Sequence, residues 1–192
     1  DTVVGERVIA PDAFAARVRL ADAAERSLDV QYYIWHQDLS GTLLLDALRR
    51  AADRGVRVRM LLDDNNTGGL DATLAALDAQ PNIEVRLFNP FRVRHWRPLG
   101  YLFDFKRLNR RMHNKDFIVD NQVAIIGGRN IGDGYFAASA GNNFRDIELF
   151  AIGPGVPAAT AAFEDSWSGD APRPTATSRA RAKPRTSAHD TP

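Results

Sequence analysis

Residues 27–64 read SLDVQYYIWHQDLSGTLLLDALRRAADRGVRVRMLLDD, and the fold follows from them. Ser27 to Trp35 is rich in β-branched and aromatic side chains and reads as a strand. Thr42 to Arg54 spaces Leu and Ala at helical intervals and ends at Gly55, a residue suited to the left-handed position just past a helix. Val56 to Leu62 alternates and then runs apolar, as a strand does, with Asp63 and Asp64 at its end. A strand, a helix and a strand in so short a span form a unit whose strands lie parallel and whose crossover is right-handed.

The pattern continues on both sides. Pro11 to Glu25 is Ala-rich, with apolar spacing at Phe14, Val18 and Leu20, and predicts a helix. Leu70 to Leu77 predicts another, and Ile83 to Phe88 a third strand closed by Asn89-Pro90. The second half differs. Asp116 to Val119 and Val123 to Ile126 are short apolar runs joined by Asp120-Asn121, the signature of a hairpin. Arg145 to Ile152 predicts a strand and Pro157 to Trp167 a last helix. The expected class is α/β, with a mixed, mainly parallel sheet flanked by helices.

Composition narrows the function. The chain has 192 residues, enough for one domain with some chain left over, and a domain of that size folds without staples. It has no Cys, which excludes a disulfide framework, a Cys-ligated metal and a thiol nucleophile. The uncharged stretch from Phe150 to Phe163 is too short for a membrane span and is interrupted by Gly and Pro. The chain begins at Asp1, without a charged and then apolar leader, as expected of a piece or processed form of a longer protein. Residues 1–168 are the expected folded domain. Residues 169–192, rich in Pro, Ala, Ser, Thr and Arg, are the expected disordered tail. In that tail Arg173, Arg179, Arg181, Lys183 and Arg185 face one acid, Asp190, so the tail is basic and the body, in a chain of net charge +1, is mildly acidic. An acidic body makes no global case for nucleic acid.

Chemistry concentrates in residues 111–136, RMHNKDFIVDNQVAIIGGRNIGDGYF. His113 and Lys115 are two apart and share one side of an extended strand. If the hairpin closes, Gly127, Gly128 and Asn130 return toward His113. An imidazole, an ammonium and an amide would then converge, with glycines permitting close approach of a bulky group. That set suits a phosphoryl group: Lys and Asn meet its oxygens and the imidazole can attack phosphorus.

The spacing His113-x-Lys115-x4-Asp120, then six residues, then Gly127-Gly128-x-Asn130, resembles the HKD motif of the phospholipase D superfamily, which often has Ser where this chain has Gly128. The segments YYIWHQD, ALRRAADRGVRVRMLLDD, PNIEVRLFNPF, RLNRRMHNK and GGRNIGDGYF are similar to the first half of bacterial cardiolipin synthases of the C type, over about residues 27–167. The resemblance implies a phospholipase D-like half-domain that processes phosphodiesters through a phosphohistidine, by analogy in phosphatidyl transfer that makes cardiolipin. It implies His113 as nucleophile or as its acid partner, Lys115 and Asn130 on the phosphate oxygens, Gly127 and Gly128 lining the substrate, and Asp120 in the motif, there more a support of local structure. A downstream carboxylate would hold the imidazole tautomer; Asp146 is the candidate and Glu148 the alternative, since alternate residues share a face. No metal and no cofactor are expected. The implied partners are a phospholipid substrate and peripheral contact with the cytoplasmic side of a membrane.

This chain has one such motif, because none of His36, His95 and His189 is followed two residues later by Lys. Either a second half completes the site or two copies of the chain meet, as in short single-motif nucleases of the superfamily. A silent half-domain that binds phosphate or membrane is the remaining alternative. Residues 91–112 hold seven Arg or Lys and one acid, Asp104, among Phe91, Trp96, Tyr101, Phe103 and Phe105. They suit a surface for anionic headgroups, or equally a loop whose aromatics pack inward, with nucleic acid ranked below both. Asp63 and Asp64 read as solvated or capping carboxylates and His36, near Asp38, as a hydrogen-bonded loop residue.

Overall fold

The computed structural model describes residues 3–4, 10–90, 111–169 and 172–174. Strands β1 (Val3–Val4), β2 (Ser27–Tyr32), β3 (Arg57–Asp63), β4 (Ile83–Phe88), β5 (Asp116–Val119), β6 (Val123–Gly127), β7 (Glu148–Ile152) and β8 (Pro172–Pro174) form one sheet in the order β1-β7-β6-β5-β2-β3-β4-β8. Helices α1 (Ala10–Ala23), α2 (Leu39–Asp53) and α3 (Asp71–Asp78) cover one face, and α4 (Val156–Ser168) covers the other.

The mixed α/β class is as expected, with one correction. Parallel pairing is confined to β2 with β3 and β3 with β4, and the other pairings are antiparallel. The reason is local: only the first half supplies crossover helices, while β5 and β6 are joined by a tight turn and the 20 residues between β6 and β7 hold a single 3-10 turn and no α-helix to carry a crossover. The central strands β2 and β3 are buried nearly throughout. Leu28, Val30 and Tyr32 pack under α1 and α2, whereas Leu61, Met112 and Ile118 pack against Phe163 and Trp167 of α4.

Helix α2 starts three residues before the expected Thr42. The Asp38 side chain accepts from the Gly41 N–H and caps it. Gly41 fits inside this first turn because a Cβ there would fall 1.9 Å from the His36 carbonyl oxygen. At its other end the Gly55 N–H donates to Ala52 O and the Val56 N–H to Ala51 O, with Gly55 at φ +96°, a Schellman closure that turns the chain into β3. At the β5–β6 hairpin both Asp120 (φ 52°) and Asn121 (φ 57°) are left-handed, as a two-residue turn of the favoured twist requires.

Two boundaries moved. Trp35 lies beyond β2, where its backbone pairs with Ile131 in an isolated bridge, and β7 starts at Glu148 rather than Arg145. Three tail residues also depart from the expected disorder: Pro172–Pro174 lies antiparallel on β4, an edge where proline costs no ladder hydrogen bond within the sheet. The remainder of the tail, and residues 91–110 of the basic aromatic segment, lie outside the described residues.

Candidate active site

The carboxyl ends of β2 and β3, where ligands gather in open α/β sheets, meet the start of β5. Asp63, the last residue of β3, is fully buried and organises this meeting. It accepts from the Asn65 N–H at 2.9 Å, from the Met112 N–H at 3.1 Å and from Arg111 Nη1 at 3.1 Å, fixing the residue next to His113. Burial pushes its carboxyl above the ordinary value against these donors. It caps the next turn, one of the two expected roles, and is buried; Asp64 is buried too, and its carboxylate accepts from Thr67 Oγ1 at 2.9 Å.

His113 is exposed and stacks on Tyr33, with ring centroids 4.3 Å apart and planes at 23°. Lys115 Nζ lies 5.6 Å from the centroid of the same ring and donates to the His113 carbonyl oxygen. Burial pushes the Lys115 ammonium below its ordinary value, and the charges of Asp146 and Asp116 oppose that shift. Asp116, on the opposite side of β5, is pushed by burial up to about 6 despite Lys115 beside it.

The hairpin closes as expected. The Gly127 N–H donates to Lys115 O at 3.2 Å, and the Gly128 N–H to Ile147 O at 3.0 Å. Gly127 has to be glycine: a Cβ there would sit 2.4 Å from Ile147 O and 2.8 Å from Glu148 Cα. At Gly128 a Cβ would meet Asp146 Oδ1 at 3.3 Å, which places that carboxylate against the turn. The other oxygen, Asp146 Oδ2, is buried without a hydrogen-bond partner. Asn130 is buried and its Oδ1 accepts from the Ile34 N–H at 3.0 Å, tying the turn to the end of β2 beside Tyr33. That use of the oxygen leaves the amide nitrogen as the end able to meet an acceptor.

Residues 18–147 match the family model described as "Cardiolipin synthase, PLD-like domain". The chain belongs to that family. It is 62% identical over 156 residues to cardiolipin synthase C of Escherichia coli, a match that covers 81% of this chain and 33% of that protein. The chain thus spans about a third of the length of such curated relatives. Among solved structures it is similar in fold to NucT from Helicobacter pylori (TM-score 0.65, 17% identity, 88% of this chain and 97% of that one). It is also similar to Nuc, a phospholipase D family member from Salmonella typhimurium (TM-score 0.60, 20% identity, 91% and 99%). The expected resemblance to the phospholipase D superfamily holds, and this is a cardiolipin synthase-like domain of it.

Against that family frame, His113, Lys115, Gly127, Gly128, Asn130 and Asp146 gather at one end of the sheet. Asp120 does not join them. It lies at the far end of β5, where its carboxylate accepts from the N–H groups of Glu25, Arg26 and Ser27 at 3.0, 2.7 and 2.7 Å. Burial pushes its carboxyl up, and these three donors override that and hold it below the ordinary value. Glu148 does not join them either: it is 5% exposed and paired with Arg17 and Arg129 on the α1 side of the sheet. Sequence reasoning missed Tyr33, Asp63 and Arg129. Position signals two of them: Asp63 ends a central parallel strand, and Arg129 stands between Gly128 and Asn130. His36 lies at the rim, half exposed, with Nδ1 3.8 Å from Asp38 Oδ2. No group of three or more His, Asp or Glu side chains able to hold a metal occurs among the described residues, and no helix among them is long and apolar enough to cross a membrane.

Proposed function

We propose that the chain carries one half of a phosphatidyl-transferring active site, with His113 as its imidazole. A ring nitrogen of His113 attacks the phosphorus of a phospholipid diester. A P–N bond forms, the P–O bond to the departing alcohol breaks, and that alkoxide takes a proton from an acid opposite. An acceptor alcohol or water then gives up its proton, attacks phosphorus and releases the imidazole. Lys115 and the Asn130 amide nitrogen neutralise the phosphate oxygens, the Gly127-Gly128 turn lets them approach the backbone, and Asp146 holds the imidazole tautomer. The observation that supports this most is the closed hairpin, which sets the Gly127–Asn130 turn beside Lys115 and Asp146 at the strand end that carries His113.

The opposing acid and the leaving-group contacts belong to a second HKD half, in a longer chain of which this one spans a third, or to a second copy of this chain. Two copies meeting through one motif each is the arrangement of the alternative, a homodimeric nuclease, and it rests on the single motif here. The likeness to cardiolipin synthase C supports the lipid reading, with peripheral contact at the cytoplasmic side of the membrane, and the mildly acidic body makes no case for nucleic acid.

The test is hydrolysis of a chromogenic phosphodiester by the purified chain beside His113→Ala, both in chelator, with acid-quenched samples probed for phosphohistidine. Where two copies of the chain pair, turnover and label that survive chelator and vanish in the variant are the expected result, whereas a folded monomer is expected to give little or no turnover. A variant as active as the parent would overturn the assignment of His113. Release of phosphatidyl groups from lipid micelles without cleavage of DNA separates the lipid reading from the nuclease.

A further inference from the structure

Arg129 stands between Gly128 and Asn130, and its guanidinium is almost wholly buried (3% exposed). All three of its nitrogens are used. Nε donates to Glu148 Oε2 at 2.9 Å, Nη1 to the Tyr135 carbonyl oxygen, and Nη2 to the Asp146 carbonyl oxygen at 3.1 Å. Glu148 is gripped in turn by Arg17 of α1, which is 1% exposed and also donates to Tyr32 Oη and to Ala13 O, both at 2.9 Å. One planar group therefore spans the distance between the turn bearing Asn130 and the backbone of Asp146.

Two desolvated guanidinium groups on one carboxylate are a poor device for stability, since apolar residues of like volume commonly do as well as a buried ion group. They are a good device for geometry, because a guanidinium fork accepts few arrangements. A shift of about 1 Å in a reacting group can lower a rate about 100-fold.

We propose that Arg129, held by Glu148 and Arg17, is a positioning residue that fixes the Asp146 carboxylate against the Gly128 turn and Lys115. The inference rests on the reading of Lys115 and Asp146 as members of one site, and its test separates the two. Lys115 reports on Asp146, whose charge draws its titration upward. The chain has three lysines, Lys106, Lys115 and Lys183, so the titration of each can be followed by NMR of a lysine-labelled sample.

Asp146→Asn sets the scale by lowering the Lys115 midpoint. Arg129→Gln, which leaves Glu148 and Arg17 as a balanced pair, lowers it by a comparable amount. Arg17→Gln, the milder variant, lowers it less and serves if Arg129→Gln does not fold. Arg59→Gln is the control. Arg59 is also buried and forks onto Asp29 and Glu164, on the α4 side of the sheet, so its loss lowers the melting temperature and leaves Lys115 where it was. If Asp146→Asn moves Lys115 and neither Arg129→Gln nor Arg17→Gln does, the positioning role is wrong. If Asp146→Asn itself leaves Lys115 unmoved, the two residues do not form one site, and the proposed function fails along with the inference.

Discussion

Tyr33 lies face to face with His113, ring centroids 4.3 Å apart, and the same ring sits under Lys115 Nζ. One aromatic ring thus contacts both of the groups proposed to meet the phosphate. Tyr33→Phe keeps the face and is expected to retain phosphodiesterase activity within about threefold. Tyr33→Leu removes a ring contact of about 1 kcal/mol, so kcat/KM should fall about fivefold without a matching loss of melting temperature. Equal activity for the Leu and parent proteins would show that the stack has no part in the reaction.

The two glycines of the turn respond differently to a side chain. Gly127→Ala places a methyl against β7 backbone that cannot yield, and should destabilise the fold by about 2–3 kcal/mol with loss of activity. Gly128→Ser meets only the end of the Asp146 side chain, at 3.3 Å, and should leave both stability and turnover within about threefold of the parent. Thermal melts and initial rates on the pair decide it.

Asp116 gives a pH dependence of one sign. Its carboxyl titrates at about 6 in the fold and at about 3.9 when unfolded, so between those values the folded chain binds the extra proton. Its contribution is therefore favourable at low pH and is lost as pH rises from about 4 to about 6, by about 3 kcal/mol. Asp116→Asn should raise the melting temperature at pH 8 and flatten its decline over that window. A variant less stable than the parent at pH 8 would mean that the ionised carboxylate is paired after all.

Asp120 has the opposite sign. Its folded pKa is depressed, so its stabilisation is present above about pH 4, the unfolded value, and disappears as pH falls through the folded one. Asp120→Ala should cost about 2 kcal/mol at pH 7 and much less near pH 2, while the folded fraction keeps its turnover. A loss of kcat in fully folded Asp120→Ala would return this residue to the chemistry.

Local signals were the legible ones. Ile83–Phe88 and Asp116–Val119 match their expected bounds because alternation and turn residues mark both ends. The start of α2 was hidden because Ser40 and Gly41 look like loop residues, and only the close approach of His36 makes glycine suitable there. The site was legible where spacing carries it, in His113, Lys115 and the Gly127–Asn130 turn. The choice between Asp146 and Glu148 was not, since both share a face of the strand expected from Arg145, whereas the strand begins only at Glu148. What separates them is Arg17, which is 131 residues away from Glu148 in sequence. Of the two readings of Asp63, solvated or capping, the sequence could not choose, because its partners Arg111 and Met112 arrive from 48 and 49 residues downstream.

The Asp120 carboxylate joins residues 93 to 95 positions apart. Closing a chain segment of that length costs about 4 kcal/mol in configurational entropy, and a single side chain with three amide donors is the latch. The residue that completes the motif in sequence is thus a record of how the sheet is assembled, and the backbone amides of Glu25, Arg26 and Ser27 become its clock: they are expected to exchange with solvent faster in Asp120→Ala than in the parent.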